Sequence, residues 1–304
     1  HFGYRRQRQM CIRDSTLTVN STTTNKSVDI SVPIESSAGF VAGLVNSNAS
    51  TLGVEATAIT RIKFPPPKRD GTISFTLKSK PGVNNSASIS ASVLSTNLTN
   101  LANTINNFSG RTGVTANLSS DKKHLILENK DGDDIEITSF TGPDSLTKDT
   151  TALGAAASDT INYSAHGLST GDKIIYTAGG TDLTNLSSGT TYYAIKVDDN
   201  NFKLASSSSN ASLGTAITVG GAGGSSTDKF TNPFTIEVLK NNYLSFSTPV
   251  SIDIDGESFA AARFSGELQI ESSSSISTSN DGGSTTVTGS QNSFRDGFYE
   301  IISS

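Results

Sequence analysis

Alternation of apolar and polar residues is the strongest pattern in this chain. Val28-Asp29-Ile30-Ser31-Val32, Ile73-Ser74-Phe75-Thr76-Leu77 and Ile89-Ser90-Ala91-Ser92-Val93 place apolar side chains on every second position, the period of a strand with one buried face. Two stretches break that period. Residues 36–48 bring Phe40, Val41, Leu44 and Val45 onto one helical face, with Ser36 or Ser37 as N-cap, and residues 96–108 carry Leu98, Leu101, Ala102, Ile105 and Phe108 at helix spacing. Thr51-Leu52-Gly53-Val54-Glu55-Ala56 follows the first helix. Sixty residues later Arg111-Thr112-Gly113-Val114-Thr115-Ala116 follows the second, so Gly53 and Gly113 hold equivalent places in an internal repeat.

Further on, His124-Leu125-Ile126-Leu127-Glu128 leads through Asp131-Gly132, a hairpin-turn dipeptide, to Ile135-Glu136-Ile137. A short amphipathic helix laid on one face of an antiparallel sheet is the simplest way to bury both kinds of stripe. From 151 the texture changes to short strands: Asp159-Thr160-Ile161-Asn162-Tyr163, Lys173-Ile174-Ile175-Tyr176, Thr191-Tyr192-Tyr193-Ala194-Ile195 and Asn201-Phe202-Lys203-Leu204-Ala205. That spacing predicts a small barrel. Gly220-Gly221-Ala222-Gly223-Gly224-Ser225-Ser226 reads as a flexible link, and residues 272–290 as a low-complexity segment.

The expected fold class is therefore mainly β (α+β), with antiparallel sheets each covered by one short amphipathic helix, plus a small β-barrel module. Residues 16–150 are expected to form two β-α-β repeats and residues 151–224 the barrel. Residues 225–304, with Phe234-Thr235-Ile236-Glu237-Val238, Val250-Ser251-Ile252-Asp253-Ile254 and Leu268-Gln269-Ile270, form a C-terminal β segment that would complete the first domain, making the barrel an insertion.

Composition narrows the function. Of 304 residues 34% are apolar, Trp is absent, and Ser, Thr, Asn and Gly fill most remaining positions, which suits small β units with wide polar surfaces better than a deep apolar enzyme pocket. Residues 1–15 differ from the rest: they hold Arg5, Arg6, Arg8, Arg13, the only Met (Met10) and the only Cys (Cys11). Gln9-Met10-Cys11-Ile12-Arg13-Asp14-Ser15 resembles translated sequencing-adapter read-through, so this segment is expected to be a disordered artefact at the edge of a longer parent protein. Setting it aside leaves 19 basic and 27 acidic residues, a formal net charge of −8 instead of −5, with no basic stripe for nucleic acid and no thiol for disulfides or thiolate metal sites. No apolar run approaches the ~20 residues of a membrane span.

Chemistry-bearing residues are few. His124 opens a strand and is expected as an exposed strand residue. His166 sits in a turn where its ring would bond the turn backbone or Asp172; nucleophilic catalysis there would need base, nucleophile and oxyanion donors all to be assembled around it, so a structural role is expected. Asp131, Asp133 and Asp134 meet near one turn, and Asp253, Asp255 and Glu257 flank Gly256 in another, the two places where carboxylates could gather around a hard cation. Neither matches the twelve-residue calcium loop, so ordinary solvated turns are the plainer reading. Glycan hydrolysis by paired carboxylates lacks a Trp platform, and the Gly-rich link lacks the Lys-Ser or Lys-Thr of a phosphate loop. Tyr192-Tyr193 is expected to put one ring in the core and one outside, and Pro65-Pro66-Pro67-Lys68-Arg69 is either an exposed ligand motif or a rigid connection. No catalytic, cofactor-binding or metal residue is assigned, and no cofactor is expected.

The run Asn97-Leu98-Thr99-Asn100-Leu101-Ala102-Asn103-Thr104-Ile105-Asn106, then Thr112-Gly113-Val114-Thr115-Ala116 and the hairpin to Asp134-Ile135-Glu136-Ile137, resembles the flagellin hook-associated repeat, over residues 16 to about 145 and in two copies. The long terminal helices by which flagellins polymerise have no counterpart here. Ala165-His166-Gly167-Leu168, Thr170-Gly171-Asp172, Tyr192-Tyr193 and Asn201-Phe202-Lys203-Leu204 are similar to a small β-barrel module of phage tail and tail-fibre proteins. Together the resemblances imply a non-enzymatic structural or adhesive component of a phage virion, in a tail or tail fibre, that supplies length and a host-facing surface. The alternative is a variable outer segment of a bacterial flagellin, hook-associated protein or adhesin. Either implies an extracellular location, with other copies or neighbouring appendage subunits as partners and a host-surface glycan or protein as a further one.

Overall fold

The computed structural model describes residues 15–21, 24–33, 36–79, 85–148, 150, 159–220, 224–239, 250–251, 262–272, 276–280, 283–287, 291–294 and 299–300. The segment set aside above thus lies outside the described residues except for Ser15, which belongs to the first strand. The protein is mainly β, with several antiparallel sheets and few short helices.

Strands β1 (Ser15–Ser21) and β2 (Lys26–Val32) pair antiparallel and bury Leu17, Val19 and Ile30. Helix α1 (Ala38–Ser47) starts where Ser37 accepts the Phe40 N–H at 3.2 Å, satisfying a backbone donor that has no partner within the helix. After Asn48 a single turn, α2 (Ala49–Leu52), ends on Gly53 at φ 65°, whose N–H donates to the Ala49 carbonyl, and β3 (Val54–Phe64) follows. The buried stripe of α1 is Ala42 and Val45, with Val41 and Leu44 partly buried. Phe40, expected on that stripe, is 50% exposed because the packed face is rotated toward Ala42.

The same construction recurs in β4 (Gly71–Lys78), β5 (Ser86–Val93), α3 (Thr99–Asn107), α4 (Ser109–Thr112) and β6 (Val114–Leu118). Here Leu98, Leu101, Ala102 and Ile105 are all buried, and Gly113 ends the turn at φ 77°. Strands β7 (Leu125–Asn129) and β8 (Ile135–Thr141) complete this second unit: β7 pairs with β6, and β8 with β4.

A third body follows: β9 (Ser145–Lys148), β10 (Ile161–Asn162), β11 (Lys173–Thr177), β12 (Thr190–Lys196), β13 (Asn201–Ala205), the short helix α5 (Ser208–Ser212) and β14 (Asp228–Thr231). They form one curled six-stranded sheet in the order β10-β13-β12-β11-β14-β9, around a core of its own that includes Leu146, Ile174, Tyr176, Phe202 and Phe230. The sheet is a half-barrel and reaches beyond residues 151–224 at both ends, because fully buried Leu146 and Phe230, one on each flanking strand, are needed to fill its core.

The chain then returns through β15 (Thr235–Val238), β16 (Val250–Ser251), β17 (Ala262–Phe264), β18 (Glu267–Ser272), β19 (Ile276–Asn280), β20 (Gly283–Val287), β21 (Gln291–Phe294) and β22 (Tyr299–Glu300). Strand β18 pairs with β3 as β7 does with β6, and β19 pairs with β1 as β8 does with β4. The first unit is therefore split. Everything from β4 to β17 lies between its two halves. Strands β19 and β20 also fall in the low-complexity stretch, where cross-strand pairing with β1 fixes a segment whose composition alone argues for no structure.

Candidate functional site

The acidic turn after β7 is organised by Asn129. Its side-chain oxygen accepts the N–H of Asp131 at 2.8 Å and of Asp133 at 3.2 Å, while its Nδ2 donates to Ser79 Oγ at 2.8 Å. The carboxylates then diverge. Asp131 is exposed, Asp133 accepts from the Ser37 hydroxyl at 3.4 Å, and Asp134 is ion-paired with Arg263, whose Nε stands 2.5 Å away. Burial raises the Asp134 pKa, and the Arg263 charge opposes that without reversing it. Among the described residues no group of three or more His, Cys, Asp or Glu could hold a metal ion. Asp253, Asp255 and Glu257 lie outside the described residues.

His166 is 1% exposed. Its Nδ1 accepts the Leu168 N–H at 3.0 Å, and Nε2 faces the carbonyls of Asp198 at 2.9 Å and Asn201 at 3.3 Å. An acceptor at one nitrogen and a donor at the other is the neutral Nε2–H tautomer, locked between two loops and edge-on to Phe202. Asp172 is not its partner: that carboxylate accepts the Ser169 N–H at 2.8 Å and pairs with Lys68 at 3.1 Å. His124 is half-buried, not exposed, because its N–H donates to Ser119 Oγ at 2.9 Å and draws the residue into the turn before β7. Tyr192 is buried in the module core and Tyr193 half-buried on the opposite face.

The Pro65-Pro66-Pro67-Lys68-Arg69 segment forms the joint between the second unit and the half-barrel. Asp144, at the root of β9, accepts the Lys68 N–H through both oxygens at 3.0 and 2.9 Å and the Arg69 N–H at 3.2 Å. Burial raises the Asp144 pKa against those two N–H bonds and the neighbouring positive charges. Lys68 reaches Asp172, and Arg69 lies over the Tyr163 ring at 5.1 Å. Gly167, at φ 69°, packs so closely on the Lys68 carbonyl that a Cβ would collide with it. No arm of this cluster is left to act as an exposed ligand motif.

A second polar cluster closes the end of the β9–β14 pair remote from the body, inside the half-barrel. Thr150 N–H donates to the Ser225 carbonyl at 2.9 Å, and Ser225 N–H donates to Thr150 Oγ1 at 3.0 Å. Asp228 accepts from the Thr150 hydroxyl and from Gly179 N–H at 2.7 Å. The glycine-rich stretch is consequently anchored at both described ends: Gly220 pairs with Thr184, and Gly224 packs on Thr150. Residues 221–223 lie outside the described residues.

The sequence reading missed a pair of asparagines. Asn46 Nδ2 donates to the Ala56 carbonyl and its Oδ1 accepts the Ala56 N–H, both at 2.7 Å; Asn106 does the same to Ala116 at 2.9 and 2.8 Å. Each carboxamide reproduces the two-bond exchange of an antiparallel ladder and closes an otherwise open end of β3 or β6. The recurrence of Asn ten residues before Ala in both repeats was the available signal.

No protein-family model matches the chain, and no curated protein does. Among solved structures, the crystal structure of the flagellar cap protein FliD from Helicobacter pylori aligns over 78% of this chain and 88% of that chain, at 10% identity and a TM-score of 0.19. A score that low does not establish a shared fold. Among the described residues no helix is long and apolar enough to cross a membrane.

Proposed function

We propose that this chain is a non-enzymatic structural or adhesive component of an extracellular appendage, a phage tail or tail fibre, where it supplies length and a host-facing surface. The observation that carries the reading is how the chemistry-bearing groups are used. Asp144, Asp172, Asp228, Asp134 and His166 each hold one segment of the chain against another, through backbone N–H groups, carbonyls or fixed cations. Groups used in this way stiffen a modular body, and the one hydroxyl they hold, that of Thr150 on Asp228, is buried in the Ser225 contact. The outward faces carry Ser, Thr and Asn, which suit many weak hydrogen bonds to a glycan or protein, multiplied by copy number in an assembled appendage. The repeated strand–helix–strand units, resembling the flagellin hook-associated repeat, favour as second reading an outer segment of a flagellin, hook-associated protein or adhesin.

Sequencing outward from this reading frame in its genome of origin separates the two. Tail-assembly genes beside a longer frame support the virion; flagellar genes, or long amphipathic helices flanking this segment, replace it with the filament. Turnover of a soluble glycan that is abolished by replacing specific carboxylates would overturn the non-enzymatic reading altogether.

A further inference from the structure

The loop after β10, residues 163–169, is bonded along the β12–β13 turn. Tyr163 N–H donates to the Asn200 carbonyl at 2.7 Å, Ala165 N–H to Asn200 Oδ1 at 3.0 Å, and His166 N–H to the Asp199 carbonyl at 3.2 Å. The buried His166 ring fastens the two from inside, with Nε2 on the turn carbonyls and Nδ1 accepting the Leu168 N–H. This arrangement holds Ala165 at φ 50°, a left-handed backbone that a Cβ disfavours. The loop is therefore kept in place against its own strain. Its other side meets the body: Arg69 Nη1 donates to the Tyr163 hydroxyl at 3.4 Å, and Gly167 lies on the Lys68 carbonyl. That carbonyl belongs to the same peptide unit as the Arg69 N–H, which Asp144 accepts at 3.2 Å.

We infer that His166 is an acid-sensitive latch, whose protonation at Nδ1 turns the Gly167–Leu168 peptide and loosens the grip of the half-barrel on Lys68 and Arg69. The neutral ring can accept at Nδ1; the charged ring carries N–H groups at both nitrogens. A proton on Nδ1 sets donor against donor at the 3.0 Å contact with Leu168 N–H, and one of the two must move. The peptide that carries this N–H begins at Gly167, which is free to leave φ 69° and is the residue seated on Lys68. Leu168 keeps its side chain in the module core, and residues 170–172 are held separately by β12, through Thr170 to the Lys196 N–H and through Gly171 and Asp172 to Ala194. The half-barrel thus stays folded and tethered through Lys68 and Asp172 while the contact at Gly167 slackens.

Charged and titratable groups face the latch from three sides. Asp198 and Asp199, on the β12–β13 turn, favour a charged ring. Both are exposed, Asp199 is paired with Lys196 at 2.7 Å, and the Asp198 carboxylate accepts from the Asn200 N–H and Asn201 Nδ2. On the loop itself, Tyr163 meets Arg69, and Asp172 is held by the Ser169 N–H and Lys68; Lys68 and Arg69 face it from the body. The fourth side is apolar, the edge-on Phe202 ring. The two turn carboxylates ease uptake of a proton and leave the contact at Nδ1 as it is. Such a joint would serve a virion or a filament segment alike, and its failure leaves the proposed function standing.

The test is nuclear magnetic resonance of the full chain from about pH 8 to about pH 5, where histidine ordinarily changes charge. It follows the His166 ring nitrogens and the hydrogen-exchange protection of the Leu168 and Arg69 amides, corrected for the intrinsic pH dependence of exchange. Protection at both amides should fall about tenfold, the worth of one lost hydrogen bond, with the same midpoint as ring protonation. His166→Gln supplies an acceptor and a donor that do not titrate in this range, and its protection should stay level. The variant also separates the latch from Asp144, whose own titration acts on the Arg69 amide in both proteins. A ring that stays neutral throughout, an Arg69 amide that keeps its protection once the ring is charged, or an equal loss in His166→Gln overturns the inference. If the variant does not fold, the wild type decides alone: amide loosening with a midpoint different from that of the ring overturns it.

Discussion

Gly53 and Gly113 end their helical turns at φ 65° and 77°, a region where a Cβ crowds the following carbonyl. Replacing Gly113 with Ala should cost ~1–2 kcal/mol, read from urea unfolding, because the left-handed backbone itself is strained for any side chain. Asn106→Ala removes both bonds to Ala116, and a loss of ~1 kcal/mol is expected, with faster hydrogen exchange at the Ala116 amide as its local signature. His166→Phe retains an aromatic ring beside Phe202 but strands the Leu168 N–H and two carbonyls, so the half-barrel should lose ~2–4 kcal/mol in the same unfolding measurement. At this scale the sequence was informative about glycine, where one backbone conformation demands one residue. It was silent about Asn46 and Asn106, since an asparagine in a helix looks like surface until a strand edge is brought to it.

Among elements, helices and strands followed their apolar periods, because burying one face is a local requirement that each segment carries in itself. Departures occurred where packing chose between acceptable faces, as in α1, which exposes Phe40 and buries Ala42. The Pro65-Pro66-Pro67-Lys68-Arg69 segment shows the same limit: its role depends on Asp144 and Asp172, both far away in sequence. That joint has a pH signature. Burial raises the Asp144 pKa in the folded state above its ordinary value of 3.8, so the folded protein binds the proton more tightly than the unfolded chain does. The Asp144 contribution is accordingly most favourable in acid and declines as pH rises through the folded-state pKa. Comparing wild type with Asp144→Asn by denaturant unfolding from about pH 4 upward should show the wild type losing ground to the variant; a flat difference would mean that folding leaves the proton affinity of the carboxylate unchanged.

For the whole molecule, the nested order of the units is the feature with the most direct consequence. Lys148 and Asp228 are paired across β9 and β14, so a two-residue Asn-Gly turn replacing residues 149–227 should leave the two repeat units folded. Circular dichroism should then show one cooperative β transition, at a lower midpoint because Leu146 and Phe230 lose their cover. Sequence alone determined the strand-rich class, the two helices, the repeated glycine turns and the presence of a distinct third segment, all of which rest on periodicities and backbone preferences confined to a few consecutive residues. Tertiary structure alone decided that the half-barrel recruits β9 and β14, that β18 and β19 complete a unit begun at Ser15, and that His166, Asp134, Asp144, Asp172 and Asp228 serve as joints. Those outcomes depend on which distant edges and buried charges meet, and a strand's local sequence encodes the face it buries but not the partner it pairs with.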